Sequence, residues 1–328
     1  MATVSIGAPY PRLVGDVGGT HARFGWIESP TSGIGSVAVY ASADHSGLEA
    51  AITHYLVEHR HPRPAACAIG IATAVLGDHI AMTNRDWAFS ISEIRRRLGV
   101  QRFVVLNDFT TLALALPGLG AADLTRVGSG SAVPGAPVGL LGPGTGLGVS
   151  GLLPGAAGPF PIAGEGGHAT LAAFDEREEQ VIARLRRRFD HVSAERVLSG
   201  PGLANVYEAC CELAGAPSAA LESVEVTERA LAGTDRCCVE AVELFFGFLG
   251  GVAGNLALTL GARGGVYVGG GIVPQLGDWI GRSAFRARFE AKGRFRSYLE
   301  AIPTWVITGL ALHALNGANR ALDTGLAG

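Results

Sequence analysis

Short apolar runs alternate along this chain with amphipathic stretches whose apolar residues recur every three or four positions. Strands are predicted at residues 12–16, 21–27, 66–71, 79–83, 103–106, 138–141, 147–153 and 265–268. Helices are predicted at residues 48–59, 93–98 with Ser92 as N-cap, 110–116, 175–188, 203–213 and over most of 226–260. Strands that alternate with helices indicate an α/β fold, in which ligands bind at the carboxyl ends of the strands.

Glycine-rich turns join two pairs of these strands, at residues 15–20 (GDVGGT) and 142–146 (GPGTG). Turns of this kind present backbone N–H groups that suit phosphate oxygens, and a Cβ would hold the backbone away from the ligand. One such turn by itself would favour an ordinary hairpin, but the two together with the glycines at 269–271 favour phosphate binding. The similarity between the two turns also indicates that the chain consists of two related halves.

Two aspartates follow predicted strands. Asp16, in the first turn, is a candidate Mg²⁺ ligand acting through water, because magnesium prefers oxygen ligands. Asp108 could accept the proton of an attacking hydroxyl, the usual base role in phosphoryl transfer to an alcohol. The alternative is that Asp108 caps the helix that starts near residue 110, and its position alone favours the cap.

Three further polar residues are candidates for binding the hydroxyl groups of a sugar. Glu165 and His168 place a carboxylate and an imidazole in a flexible glycine frame. Their ordinary alternatives are a surface glutamate and a core histidine, which the two residues by themselves would favour. Glu195 could also point at a ligand, although a lone glutamate at a helix start usually faces solvent.

The composition narrows the range of functions. Hydrophobic residues make up 48% of the 328 positions and charged residues 17%, so the bulk of the chain is expected to fold. The formal net charge of −3 gives no bulk attraction to nucleic acid or to an anionic membrane, and neither is expected as a partner. Lys292 is the only lysine, and because Gly293 and Arg294 follow it, the chain lacks a P-loop and the strand lysine of a protein kinase.

Other features indicate a cytoplasmic protein. The five cysteines are odd in number and lack the Cys-x-x-Cys spacing of zinc sites, so reduced and mostly buried thiols are expected. Residues 1–11 lack the basic and apolar regions of a signal peptide. Residues 244–262 carry no charge and are long enough to span a bilayer, but their glycines predict a closely packed buried helix.

Longer motifs occur in order along the chain: LVGDVGGTHARF at 13–24, LNDF at 106–109, GPGTGLGV at 142–149, GEGGH at 164–168, HVSAERVLSGPG at 191–202, GGVYVGGGIVP at 264–274 and KGRF at 292–295. Together they resemble the bacterial ATP-dependent glucokinases without a zinc motif, from about Leu13 to the C-terminus. HVSAERVLSGPG is specific to that family, whereas all sugar kinases of the actin-like ATPase superfamily share the glycine turns. Residues 169–179 contain no cysteine, which argues against the zinc-containing sugar-kinase group.

The resemblance implies a two-domain ribonuclease-H-like (actin-like ATPase) α/β fold with an interdomain cleft. The small α/β domain is expected over residues 1–118 and about 309–328, and the large α/β domain over 119–308. The implied activity is that of a glucokinase in glycolysis, which transfers a phosphoryl group from Mg-ATP to the 6-hydroxyl of glucose and yields glucose 6-phosphate and ADP. A cytoplasmic homodimer that needs ATP and Mg²⁺ is also implied.

The resemblance assigns roles to individual residues, with Asp108 matching the catalytic base. The residues that match sugar ligands are Asn107, Asp108, Glu165, His168 and Glu195. The residues that match the nucleotide site, beside the Mg²⁺ candidate Asp16, are Gly18, Gly19, Thr20, Gly144, Thr145, Gly146, Gly269, Gly270 and Gly271.

One segment, residues 72–78 (ATAVLGD), departs from the family pattern. Ala74 stands where the family usually has proline, and Leu76 replaces a commoner polar residue. Because this segment borders the sugar pocket in the family, a kinase for another hexose, such as mannose, fructose or an amino sugar, is the nearest alternative. A non-catalytic sugar sensor on the same fold is a further alternative, which the presence of both Asp16 and Asp108 disfavours.

Overall fold

The computed structural model describes residues 7–83, 85–156 and 158–324, in which strands and helices alternate. The strands are β1 (Arg12–Val17), β2 (His21–Ile27), β3 (Gly35–Ala41), β4 (Ala66–Ile71), β5 (His79–Ala81), β6 (Ala88–Ser90), β7 (Arg102–Asn107), β8 (Leu124–Val127), β9 (Val138–Pro143), β10 (Leu147–Leu153), β11 (Phe160–Pro161), β12 (Val266–Val268) and β13 (Thr304–Ile307). The helices are α1 (Leu48–Glu58), α2 (Ile91–Leu98), α3 (Asp108–Ala115), α4 (Glu176–Leu185), α5 (Gly200–Ala214), α6 (Ser223–Ala232), α7 (Arg236–Leu260), α8 (Ile272–Gln275), α9 (Trp279–Arg282), α10 (Phe285–Glu290), α11 (Arg296–Glu300) and α12 (Leu310–Ala321). The predicted α/β class is confirmed.

The described residues form two compact units. The smaller unit holds the residues up to Gly120, Pro154–Ala163 and the residues from Gly309 onward. The larger unit holds Ala121–Leu153 and Gly164–Thr308. Each unit has its own mixed sheet and its own apolar core.

The sheet of the smaller unit runs in the order β3-β2-β1-β4-β7. Strand β1 is antiparallel to β2 and parallel to β4, which is in turn parallel to β7. Leu13, Cys67 and Phe103 are register neighbours on three strands and are almost fully buried in the core that α1 and α2 cover. Helices α3 and α12 pack against each other and against β4, and α12 also contacts β1.

The larger unit repeats this arrangement of strands. Its sheet contains the order β10-β9-β12-β13-β8, in which β9 is antiparallel to β10 and parallel to β12, and β12 is parallel to β13. In both units, therefore, an antiparallel hairpin with a glycine turn is followed across the sheet by two parallel strands. This shared strand arrangement matches the similarity between the two glycine turns in the sequence.

Helix α7 is the central helix of the larger unit's core, as its glycines predict. A Cβ on Gly250 or Gly254 would overlap the carbonyl oxygen of Phe285 or Phe289, so the backbone of α10 lies directly on these glycines. Among the described residues α7 is the one helix long and apolar enough to cross a membrane, but 61% of its most apolar window is buried within the protein.

Several predicted helix boundaries differ from the observed ones by one to three residues: α2, α3 and α5 begin earlier than predicted, and α4 ends at Leu185 and not at Arg188. Helix α2 begins at Ile91, because Ser90 and not Ser92 is its N-cap and accepts the N–H of Glu93. The prediction that most of 226–260 is helical is confirmed: α6 and α7 cover it, and they are separated where Gly233 adopts a left-handed conformation (φ +66°) that ends α6.

Candidate active site

The candidate residues of the smaller unit lie at one edge of its sheet. Val17, Ile71 and Asn107 are the last residues of the parallel strands β1, β4 and β7, and the register places them side by side. The first glycine turn, the segment from residue 72 and the start of α3 therefore leave the sheet at the same edge. This is the edge at which open α/β sheets bind ligands.

The first glycine turn is held from behind. The N–H of Gly18 donates to the carbonyl of His21 (2.9 Å), which closes the turn. The buried Ser42 donates its hydroxyl to the carbonyl of Gly18 (3.1 Å) and its N–H to that of Thr20 (2.8 Å). Within the described part of the chain no hydrogen bond uses the N–H groups of Gly19 and Thr20, so these donors can serve an anion.

Asp16 lies opposite Arg23 across the β1–β2 hairpin. The Nη1 of Arg23 donates to Oδ2 of Asp16 at 3.1 Å, and the Asp16 side chain is 27% exposed. Burial raises the pKa of Asp16 above its ordinary value, and the positive charge of Arg23 opposes that rise. Arg23 is a residue that the sequence reasoning missed. Pairing the two predicted strands across the glycine turn would have placed it opposite Asp16.

Asn107, and not Asp108, is the N-cap of α3. Its Oδ1 accepts the N–H groups of Phe109 (3.0 Å) and Thr110 (3.2 Å), while Asp108 is the first helical residue. The Nδ2 of Asn107 donates to Oδ1 of Asp108 (3.0 Å) and to the carbonyl of Thr73 (3.3 Å). The cap that position alone favoured for Asp108 is thus supplied by its neighbour, which also orients the Asp108 carboxylate.

In the larger unit, Glu195 is bonded to the second glycine turn. Its Oε2 accepts the N–H of Leu147 at 2.9 Å, and a Cβ on Gly146 would lie only 2.5 Å from the same oxygen. The N–H of Gly144 donates to the carbonyl of Gly146, and that of Gly200 to the carbonyl of Gly144, both at 2.8 Å. Two residues of the HVSAERVLSGPG segment, Glu195 and Gly200, therefore form hydrogen bonds with the two sides of this turn.

The second turn, like the first, keeps donors available. Among the described residues no hydrogen bond uses the N–H groups of Thr145 and Gly146. Gly269 to Gly271 lie beside the strand that leads into this turn. The N–H of Gly269 donates to the carbonyl of Leu141 (2.8 Å), and a Cβ on Gly270 (φ +79°) would overlap the carbonyl oxygen of Pro143.

Glu165 and His168 lie near Glu195 in the fold. A Cβ on Gly167 would overlap the carbonyl oxygen of Leu147, so their loop lies directly against the first residue of β10. The short 3-10 turns 166–168 and 194–196 also contact each other. Both Glu165 and His168 are exposed, whereas Glu195 is half-buried.

The predicted site residues thus form two groups. The smaller unit gathers Asp16, Gly18, Gly19, Thr20, Asn107 and Asp108. The larger unit gathers Gly144, Thr145, Gly146, Glu165, His168, Glu195, Gly269, Gly270 and Gly271. The described residues contain no group of three or more histidine, cysteine or acidic side chains placed to hold a metal ion, so Asp16 would act as a single carboxylate.

Comparison with known proteins gives a consistent result. The family model described as Glucokinase matches residues 13–324. The chain is 55% identical over 320 residues to the glucokinase of Aromatoleum aromaticum (strain DSM 19018 / LMG 30748 / EbN1), which covers 97% of this chain and 96% of that protein. It is 50% identical over 302 residues to a bifunctional protein of Paraburkholderia xenovorans (strain LB400), covering 91% of this chain and 47% of that longer protein.

The fold is also that of a solved structure. A crystal structure of glucokinase from an Antarctic psychrotroph superposes with a TM-score of 0.86 at 32% identity. The match covers 95% of this chain and 99% of that one.

Proposed function

The chain belongs to the glucokinase family and is an ATP-dependent hexose kinase, and from that premise we propose that Asp108 is the base that activates the 6-hydroxyl of glucose. The observation that carries the proposal is the fixed Asp108 carboxylate at the carboxyl edge of the sheet. Its Oδ1 accepts from Asn107 Nδ2 (3.0 Å) and from the N–H of Phe109 (2.9 Å). A base held in one orientation needs no rearrangement when the hydroxyl arrives.

In the proposed step the 6-hydroxyl proton moves to the Asp108 carboxylate. The sugar oxygen forms its bond to the γ-phosphorus while the bond from that phosphorus to the bridging oxygen breaks, which releases ADP. We propose that the other sugar hydroxyls are bound by Asn107, Glu165, His168 and Glu195.

Asn107 must exchange a partner to bind sugar. An asparagine amide has two acceptor sites and two donor hydrogens, and here all four are used within the protein. The longest of the four bonds is that from Nδ2 to the carbonyl of Thr73, at 3.3 Å. We propose that a sugar hydroxyl replaces Thr73 as the acceptor of this N–H.

The nucleotide phosphates are proposed to bind to the two glycine turns and the adenosine side to Gly269–Gly271. The available N–H groups of Gly19, Thr20, Thr145 and Gly146 support this placement. Asp16 is proposed to hold Mg²⁺, and one carboxylate fits this ion, because Mg²⁺ keeps several waters and takes further ligands from phosphate oxygens. When bound, the ion neutralises negative charge on the phosphates.

The family resemblance supports a homodimer in the cytoplasm, which we propose on that ground alone. Sedimentation analysis of the purified protein tests the dimer, and a single species of monomer mass would contradict it.

The test of the function is a coupled assay of ADP release with Mg-ATP and a panel of glucose, mannose, fructose and glucosamine. We expect glucose to give the highest kcat/KM. The panel includes other hexoses because Leu76, in the segment that departs from the family, is 94% exposed and follows Thr73 by three residues. Selective turnover of one of them would move the proposal to that sugar.

The base role is tested by Asp108→Asn, which keeps the shape of the side chain. We expect kcat to fall by about 10²–10⁴-fold, the usual contribution of a general base, with glucose still raising the melting temperature. Near-normal turnover in this variant would remove Asp108 from the base role.

A further inference from the structure

We propose that Thr111 is a positioning residue that fixes the peptide group between Asn107 and Asp108, and so aims the base. The inference rests on the base role proposed above for Asp108. Thr111 is 1% exposed, and its Oγ1 donates to the carbonyl oxygen of Asn107 at 2.9 Å. That carbonyl belongs to the peptide bond that leads into Asp108, so the hydroxyl acts on the backbone of the base itself.

Thr111 packs closely against two glycines. A Cβ on Gly70 of β4 would lie 3.0 Å from Thr111 Oγ1 and 3.2 Å from its Cβ and Cγ2. A Cβ on Gly317 of α12 would overlap the carbonyl oxygen of Thr111 and lie 3.3 Å from its Cγ2. Neither glycine has a left-handed φ, so the missing side chain, and not the backbone freedom, is what each position uses.

These contacts join two elements, β4 and α12, to the start of α3. Strand β4 precedes the segment whose Thr73 carbonyl accepts from Asn107, and α12 is the last helix of the chain. Asp108 is thereby held by the Asn107 side chain from one direction and by the Thr111 hydroxyl through the backbone. Because displacements of about 1 Å can cost about 100-fold in rate, such support matters for a base.

A buried threonine often donates to the carbonyl four residues earlier for purely local reasons. Thr227 does so in α6, where it is 6% exposed and bonds the carbonyl of Ser223 at 2.9 Å. It is therefore a matched control, with the same residue type, bond and burial but no candidate site residue at the other end of the bond.

The experiment compares Thr111→Val with Thr227→Val in the full-length protein. Valine keeps the volume and removes the hydroxyl. We expect Thr111→Val to lower kcat about ten-fold while both KM values stay within about two-fold of the wild type. We expect Thr227→Val to keep the wild-type kcat even where its melting temperature falls as much.

A second pair of variants isolates the hydroxyl in case Thr111→Val does not fold. Thr111→Ser keeps the hydroxyl and Thr111→Ala removes it, and both lack the methyl group. We expect the serine variant to retain a kcat close to wild type and the alanine variant to lose about ten-fold. Equal kcat values in this pair, or a wild-type kcat in Thr111→Val, would overturn the inference.

Amide hydrogen exchange supplies a readout that does not depend on turnover. Loss of the Thr111 hydroxyl is expected to speed exchange of the Phe109 and Thr110 amides, which Asn107 caps, more than elsewhere in α3. The Asp108→Asn result separates the two proposals. If Asp108→Asn is inactive and Thr111→Val is fully active, only the inference about Thr111 is refuted. If Asp108→Asn is active, the base role is refuted, and the inference that rests on it is refuted too.

Discussion

Glu195 follows Leu147 by 48 residues in the sequence, yet its side chain is hydrogen-bonded to the N–H of Leu147 at the end of the second glycine turn. Its Oε2 takes up the N–H of Leu147, the residue that follows the turn, and Gly146 is small enough to let that oxygen approach. Gly144, two residues earlier, has no neighbouring atom within 4 Å of where a Cβ would be. The two glycines therefore serve different purposes, although they look alike in the sequence.

This difference predicts a crossover between two alanine variants. Gly146→Ala is expected to displace the Glu195 carboxylate and so to raise the KM for glucose about ten-fold or more, since a charged hydrogen bond is worth about 1.5–3 kcal/mol. Gly144→Ala is expected to leave the KM for glucose within about two-fold and the melting temperature unchanged, but to raise the KM for ATP, because a Cβ holds phosphate away from the backbone. Steady-state kinetics with each substrate varied in turn, together with thermal unfolding, measure this. An unchanged KM for ATP in Gly144→Ala would argue against phosphate contact there.

Residue types at the site could be predicted from the sequence, but their partners could not. Glycine, aspartate and asparagine in these patterns indicate turns, caps and carboxylate chemistry by themselves. The choice of Asn107 over Asp108 as the cap depends on which residue ends β7, a boundary that the apolar pattern left one residue short. The bond from Leu147 to Glu195 depends on the tertiary fold, and no spacing in the sequence signals it.

At the scale of elements, α7 shows that two adjacent glycines in one helix can have opposite effects. Gly250 lies against the backbone of α10, which cannot move aside as a flexible side chain can. Gly251 has nothing within 4 Å of a Cβ, and its carbonyl accepts from Lys292 Nζ at 2.9 Å.

We therefore predict opposite signs for two neighbouring substitutions. Gly250→Ala should destabilise the larger unit by about 3 kcal/mol, because the added methyl group overlaps a backbone carbonyl. Gly251→Ala should stabilise it by about 0.5–1 kcal/mol, the ordinary gain of alanine over glycine inside a helix. Urea unfolding followed by circular dichroism measures both changes. Destabilisation of similar size in the two variants would contradict the close packing of α7 on α10.

Strands β2, β4 and β10 have the predicted bounds. The bounds of β10 follow from the sequence most directly, because Gly146 and Pro154 flank this strand on its two sides. Helix ends were less predictable, since caps depend on the tertiary neighbours. Ser90 caps α2 while its hydroxyl also donates to Asp78, a residue twelve positions earlier.

At the scale of the whole molecule, the phosphate site proposed above has no lysine among its residues. Lys292 is the single lysine of the chain. Its Nζ donates to the carbonyl of Gly251 (2.9 Å) and to Oδ1 of Asn255 (2.8 Å), and burial lowers its pKa. It joins the segment after α10 to α7 within the larger unit. We propose that backbone N–H groups of the glycine turns hold the phosphates, with charge neutralised by the ion proposed at Asp16.

Because Lys292 bonds to α7 and is not among the proposed phosphate ligands, we can predict the outcome of removing its charge. Lys292→Met keeps an apolar stem and loses the ammonium group. We expect the KM for ATP and kcat to stay within about two-fold of the wild type, while the melting temperature falls because the carbonyl of Gly251 and the amide of Asn255 lose their donor. Lys292→Arg, which retains a cation, is the control for charge. A rise of about ten-fold or more in the KM for ATP in Lys292→Met but not in Lys292→Arg would mean that this cation acts on the nucleotide, and that backbone donors alone do not hold it.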